Sequence, residues 1–116
     1  MTGYYDLKQT ASGSYMFNLK AGNHEVILTS EPYTTKQAAQ GGIASVQTNS
    51  PNDDRYERKS SVRGEPYFVL KATNGETIGK SEMYSSASAM EGGISSVKAN
   101  GPTKEAKEAK EAKEAK

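Results

Sequence analysis

The apolar residues of this chain alternate in short runs and then switch to helical spacing, and the switch happens twice. Tyr5 and Leu7 stand two apart in Tyr4-Tyr5-Asp6-Leu7-Lys8, which predicts a short strand with one buried face. Thr10 to Ser14 reads as a turn. Tyr15, Phe17 and Leu19 share a face of a second strand over Tyr15–Lys20, and Gly22-Asn23, which tolerate positive φ, predict a hairpin into the β-branched strand Glu25–Ser30. Pro32 ends that strand. A helix is predicted from Thr34 or Thr35, with Thr34 and Gln37 at capping-box spacing, and Ala39, Ile43 and Val46 form its inward stripe at i, i+4 and i+7. It should run to about Thr48, where Asn49-Ser50-Pro51 stops it.

After the linker Asn52-Asp53-Asp54 the pattern returns with an offset of 51 and no gap, and 18 of the 35 positions from Phe17 to Pro51 are identical in the second copy. Ser30-Glu31 and Tyr33 come back as Ser81-Glu82 and Tyr84, and Gly41-Gly42-Ile43 as Gly92-Gly93-Ile94. Asn74-Gly75 is a strong two-residue hairpin signal and supports the weaker one at Gly22-Asn23. Met90, Ile94 and Val97 rebuild the helix stripe. The weakest prediction is the strand at Tyr56-Glu57-Arg58-Lys59, where the apolar position of Leu7 has become Arg58. The expected fold is α+β: two tandem β-β-β-α repeats, 4–51 and 55–102, related by a pseudo-two-fold axis, with an antiparallel sheet packed against helices in one domain, 1–102. The tail, 103–116, repeats Lys-Glu-Ala, places like charges three apart and has no apolar face; it is expected to be solvated and outside the core.

The paired E-x-Y-x-x-x-x-A-x-x-G-G-I-x-S-V segments, preceded by F-x-L-K-A-x-N-x-E and followed by N-x-P, resemble the YegP-like family of small bacterial proteins built from one or two such repeats. The resemblance spans roughly Tyr4 to Pro102. It implies β-β-β-α units joined about a pseudo-two-fold axis and implies no established activity. The Lys-Glu-Ala tail departs from the family pattern.

A mean hydropathy of -0.80 makes the chain polar, yet its apolar residues cluster, which argues for a folded body with a small core. Ten basic and ten acidic residues balance over Met1–Thr103. A neutral body disfavours nucleic acid as a partner, although clustering on one face stays open. The absence of cysteine excludes disulfides and thiolate metal sites. No apolar run approaches a membrane span, and the N-terminus has no basic segment followed by an apolar one, so a soluble cytoplasmic protein is expected.

Chemistry has few candidates. Gly41-Gly42 and Gly92-Gly93 cost helix stability, so they are expected to mark close packing; no phosphate-loop spacing accompanies them. Glu31 and Tyr33, with Glu82 and Tyr84, could face each other across the pseudo-axis as paired carboxylates for acid–base work or ligand binding, against the plainer reading of helix-dipole and core-edge residues. Lys20 and Lys71 read as solvated strand ends, His24 as a surface turn residue, and Asp53-Asp54 as linker. No catalytic motif, cofactor or metal site emerges. The reading is a non-enzymatic interaction or structural module acting as a monomer, its partner unknown. The alternatives are a binder or enzyme using the Glu/Tyr sets, and a weak single-strand nucleic-acid binder through the sheet.

Overall fold

The structure, a computed structural model, describes residues 3–108. Strands β1 (Tyr4–Gln9), β2 (Tyr15–Lys20) and β3 (Val26–Ser30) precede helix α1 (Lys36–Asn49); β4 (Tyr56–Ser60), β5 (Pro66–Lys71) and β6 (Thr77–Lys80) precede α2 (Ala87–Asn100). A last strand, β7 (Ala106–Glu108), completes a sheet of order β4-β5-β6-β3-β2-β1-β7. The first six strands pair antiparallel, and the two meanders join where β3 meets β6 through Thr29 opposite Lys80 and Ser30 opposite Gly79.

Both helices pack on the same face of this sheet. Their stripes, Ala39, Ile43 and Val46 on α1 and Met90, Ile94 and Val97 on α2, share one core with Tyr5, Leu7, Phe17, Leu19, Leu28, Tyr56, Phe68 and Leu70. Each helix is capped by a side-chain oxygen one residue before it: Thr35 accepts from Ala38 N, and Ser86 from Ala89 N. The cap is therefore Thr35 alone, and the Thr34/Gln37 capping box does not form, because the helix begins at Lys36 and Gln37 is one position too early to reach back.

The far ends of the helices hold the two repeats together. The Tyr5 hydroxyl donates to Gly101 O at 2.5 Å, and its counterpart Tyr56 donates to Ser50 O at 2.6 Å. Each repeat's first strand thus satisfies a carbonyl that the other repeat's element leaves orphaned at its helix C-terminus. Asn49, expected as part of the helix stop, and its equivalent Asn100 are the last helical residues. Each amide donates back to Ser45 O or Ser96 O at 2.8 Å, while its oxygen accepts from Arg55 Nε at 3.1 Å or from Gly3 N at 2.9 Å.

Equivalent residues meet at the axis, and in two of these pairs one member is glycine. A Cβ on Gly101 would overlap Ser50, and one on Gly79 would sit 2.7 Å from Thr29 O and 3.2 Å from Leu28 Cγ. Two serines, or two leucines, could not share these places.

Two expectations change. The loops after β2 and β5 are not two-residue turns. His24 N donates to Ala21 O and Ala21 N to Glu25 O, with positive φ at His24 (72°), not at Gly22 or Asn23; Gly75 does the same in the second copy. This is a longer loop closed by a left-handed residue, and it puts a bulge in the register before Lys20 and Lys71. The tail is not wholly outside the body either. Tyr5 N donates to Glu105 O at 2.9 Å, Gln47 Nε2 donates to Thr103 O at 2.8 Å, Thr103 is buried, and Ala106–Glu108 runs parallel to Tyr5–Leu7. An edge strand offers unpaired backbone groups whatever the side chains of its partner. The rest of the tail lies outside the described residues.

Two measurements follow from the helix ends. Gly101→Ser should destabilise the fold by about 1–3 kcal/mol in urea melts, the usual size of an overpacking effect, and Ser50→Gly in the same chain should recover most of it; no recovery would mean the two positions do not compete. Burial pushes the phenol pKa of Tyr5 and Tyr56 well above its ordinary value. Their stabilisation is therefore complete below about pH 10 and lost as pH climbs toward the folded-state values. The Tyr5→Phe/Tyr56→Phe protein should be less stable at pH 7 but lose stability less steeply above pH 10, and parallel pH profiles would refute this.

Candidate functional site

The repeated segment Ser-Glu-x-Tyr is built around its serine. Ser30 Oγ accepts from Phe17 N at 2.9 Å and donates to Glu31 O at 2.8 Å; Ser81 makes the same pair with Phe68 N at 3.0 Å and Glu82 O at 2.8 Å. The buried hydroxyl replaces a ladder partner and turns the chain back over the sheet. Tyr33 then bonds to Tyr15 through both backbone groups at 2.7 Å and stacks on Phe17, rings 6.3 Å apart and 11° from parallel; Tyr84 stacks on Phe68 at 6.3 Å and 10°. With Tyr5 edge-on to Phe17 and Tyr56 edge-on to Phe68, each repeat has a three-ring column.

The helix glycines divide by face. A Cβ on Gly42 would fall within the Tyr33 hydroxyl and 2.7 Å from its Cζ, and Gly93 stands in the same relation to Tyr84. Gly41 and Gly92 are exposed, with nothing within 4 Å of a Cβ. Close packing therefore does not account for these two, because the pair spans two helix faces and only its second member turns toward the ring.

Glu31 and Glu82 do not face each other. Glu31 N bonds to Ile78 O, and Glu82 lies four residues further along that strand's direction, so their backbones stand about 13 Å apart at roughly 3.3 Å per residue. The antiparallel β3–β6 pairing sends the two segments to opposite ends of the sheet. That register separates the two glutamates rather than bringing them together. Each tyrosine instead lies near a carboxylate from either repeat. Burial raises the Tyr33 pKa, with Glu31 and Glu76 adding to it, and burial with Glu82 and Glu25 does so for Tyr84. These phenols stay protonated at neutral pH, and among the described residues no side chain hydrogen-bonds to either hydroxyl.

The other candidates sit in salt links or turns. Lys20 bonds Asp6 at 3.1 Å and Lys71 bonds Glu57 at 2.6 Å, on inner rather than edge strands. His24 is exposed, its Nδ1 3.0 Å from the Tyr4 hydroxyl. Asp53 accepts from Lys98 at 2.7 Å and Arg58 at 3.2 Å, and Arg58 also holds Glu91 at 2.6 Å, which lowers both carboxyl pKa values. Asp53 is thus the centre of an ion network rather than plain linker.

What the sequence did not reveal is the other face of the sheet. Register places Asp6, Asn18, Thr29, Lys80, Val69 and Glu57 in one row across six strands. Lys8 opposite Met16, and Tyr4 opposite Lys20, share this side at the first repeat's outer strands; Lys59 opposite Tyr67 does so in the second. Val69 is buried yet lies outside the core cluster, as a residue on the side away from the helices must. No described helix covers this face, and no described helix is long and apolar enough to cross a membrane. Alternation in the sequence could have sorted these residues onto one side; the order of strands could not be read from it.

A two-repeat α+β body of this kind defines the class, and sequence comparison defines the family. The chain belongs to the family described as a domain of unknown function (DUF1508), which matches it twice, over residues 11–57 and 61–108. Both matches run strand, strand, helix, strand, and the second includes β7. A UPF0339 protein of Bordetella pertussis is 61% identical over 103 residues, covering 88% of this chain and 91% of its own. The UPF0339 protein YegP of Escherichia coli K12 is 51% identical over 104 residues, covering 90% and 94%. A solution NMR structure of a UPF0339 protein from Shewanella oneidensis superposes with a TM-score of 0.88 at 51% identity, covering 93% of this chain and 92% of that one. The NMR structure of E. coli yegP, described as a protein of unknown function, gives 0.88 at 50% identity, covering 93% of each chain.

The two glycine faces should respond oppositely. Gly41→Ala and Gly92→Ala should each raise stability by up to about 1 kcal/mol, the helix-propensity gain at an open site, whereas Gly42→Leu or Gly93→Leu should lower the melting temperature despite better propensity. An unchanged melting temperature in the leucine variants would refute the ring contact as the reason for Gly42 and Gly93.

Proposed function

We propose that this protein is a non-enzymatic binding module whose working surface is the helix-free face of its sheet. The observation that carries this reading is the one-sided packing: both helices cover one face, and the other presents half-exposed Tyr4, Met16 and Tyr67 among lysines across six strands. An enzymatic reading on the repeated Glu and Tyr lacks support, because the register holds the backbones of the two glutamates about 13 Å apart.

Amine labelling in intact bacterial cells, compared with the purified protein, tests the surface. Lys8, Lys59 and Lys80 should be protected in cells, and Lys36 and Lys98, on the helices, should not. Protection confined to the helices, or uniform across all lysines, would move the working surface elsewhere.

A further inference from the structure

Although the body is neutral in sum, its charges are sorted. The strand positions of the helix-free face carry Lys8, Lys20, Lys59, Lys71 and Lys80 against Asp6 and Glu57. Both carboxylates are engaged, Asp6 by Lys20 at 3.1 Å and Glu57 by Lys71 at 2.6 Å. Lys8 and Lys80 have no ion pair among the described residues, and Lys59 reaches only Glu57, at 3.6 Å, which Lys71 already holds more closely.

The strand positions of these three lysines form a line. Lys80 lies in the central row beside the pseudo-axis; Lys8 is two residues beyond that row on β1, and its equivalent Lys59 is two residues beyond it in the opposite direction on β4. With about 4.8 Å between strands and 3.3 Å per residue, the line runs diagonally for about 28 Å. Met16 stands opposite Lys8 and Tyr67 opposite Lys59, each half-exposed. Glu31 and Glu82, just past the ends of β3 and β6, are exposed and border the line on either side.

Resting on the reading of this face as the working surface, we propose that it binds single-stranded nucleic acid, with phosphates along Lys8, Lys80 and Lys59 and bases against Tyr67 and Met16. A cationic track beside flat or polarisable side chains is the combination that recognises a flexible strand through backbone charge and stacking. The bordering glutamates confine the backbone to the diagonal, and the small number of cations makes binding weak and dependent on salt.

The test is titration of the labelled full-length protein with a mixed-sequence single-stranded DNA of about 12 nucleotides, at low salt, followed by amide shifts and fluorescence anisotropy. Shifts should centre on Lys8, Met16, Tyr67 and Lys80. The logarithm of affinity should fall with that of salt with a slope of about -2, as three phosphate contacts to a single strand imply. Lys8→Gln/Lys59→Gln/Lys80→Gln should weaken binding at least tenfold, while Lys36→Gln/Lys98→Gln should leave it unchanged. Absent shifts, shifts on the helix side, undiminished binding by the triple variant, or binding only to vesicles containing phosphatidylserine would each overturn the proposal. If DNA fails while Lys8, Lys59 and Lys80 remain protected in cells, the nucleic-acid partner is lost and the binding face stands.

Discussion

The bond from each first-strand tyrosine to the end of the opposite helix is the constraint on which the rest of the structure depends. A repeat of about fifty residues cannot bury enough surface to be more than marginal alone. Here Tyr5 and Tyr56 each serve both repeats, filling the core of their own beside Phe17 and Phe68 and carrying a hydroxyl to the helix end of the other at Gly101 O and Ser50 O. The phenol suits the task because its ring belongs in the core while its hydroxyl needs a partner once buried. Phenylalanine would supply the packing and leave the helix carbonyl orphaned.

Duplication then allows asymmetry. Leu7 on β1 and its equivalent Arg58 on β4 mark the two sheet edges, and the edges meet different fates. Beside Arg58, the network of Asp53, Glu91 and Lys98 lays charge along β4, a usual defence against stray strand pairing. The positions equivalent to Glu91 and Lys98 in the first copy are Gln40 and Gln47, and Gln47 holds the tail at Thr103 while β7 covers Leu7. One edge is closed by charge and the other by the chain itself.

How much of this could be read from the residues depends on the range of the interaction. Periodicity located five of the six strands of the two meanders and both helices, because alternation and the i, i+4, i+7 stripe report burial directly. The sixth, β4, whose alternation is broken at Arg58, was legible only through its match to β1 in the repeat. The glycine pair signalled contact, but only Gly42 and Gly93 make it, since the ring each meets lies on one side of the helix. Glu31 and Glu82 appeared paired because they repeat, whereas repetition about an antiparallel seam sends equivalent residues apart unless they lie at the axis itself. β7 left no apolar signal, as its attachment to β1 is made by backbone groups that every residue carries. The buried serines of the repeated segment were visible as identities, but their role is to complete a ladder, which pattern does not show.

The same symmetry argument bears on charge. Thr29 and Lys80 are equivalent positions placed directly opposite each other at the seam. A repeat carrying lysine there and pairing with an identical copy would bring two ammoniums onto directly opposed sites, with Cβ atoms about 5 Å apart, a destabilising arrangement. Joining two diverged copies in one chain removes that conflict: the threonine turns to Asn18, 3.1 Å away, and one lysine remains at the centre of the open face. A cation on the axis is thus available to the fused protein at a position that a self-pairing repeat could occupy only against repulsion. The neutral total of the body is no guide to this, because it sums over two faces that the fold has separated.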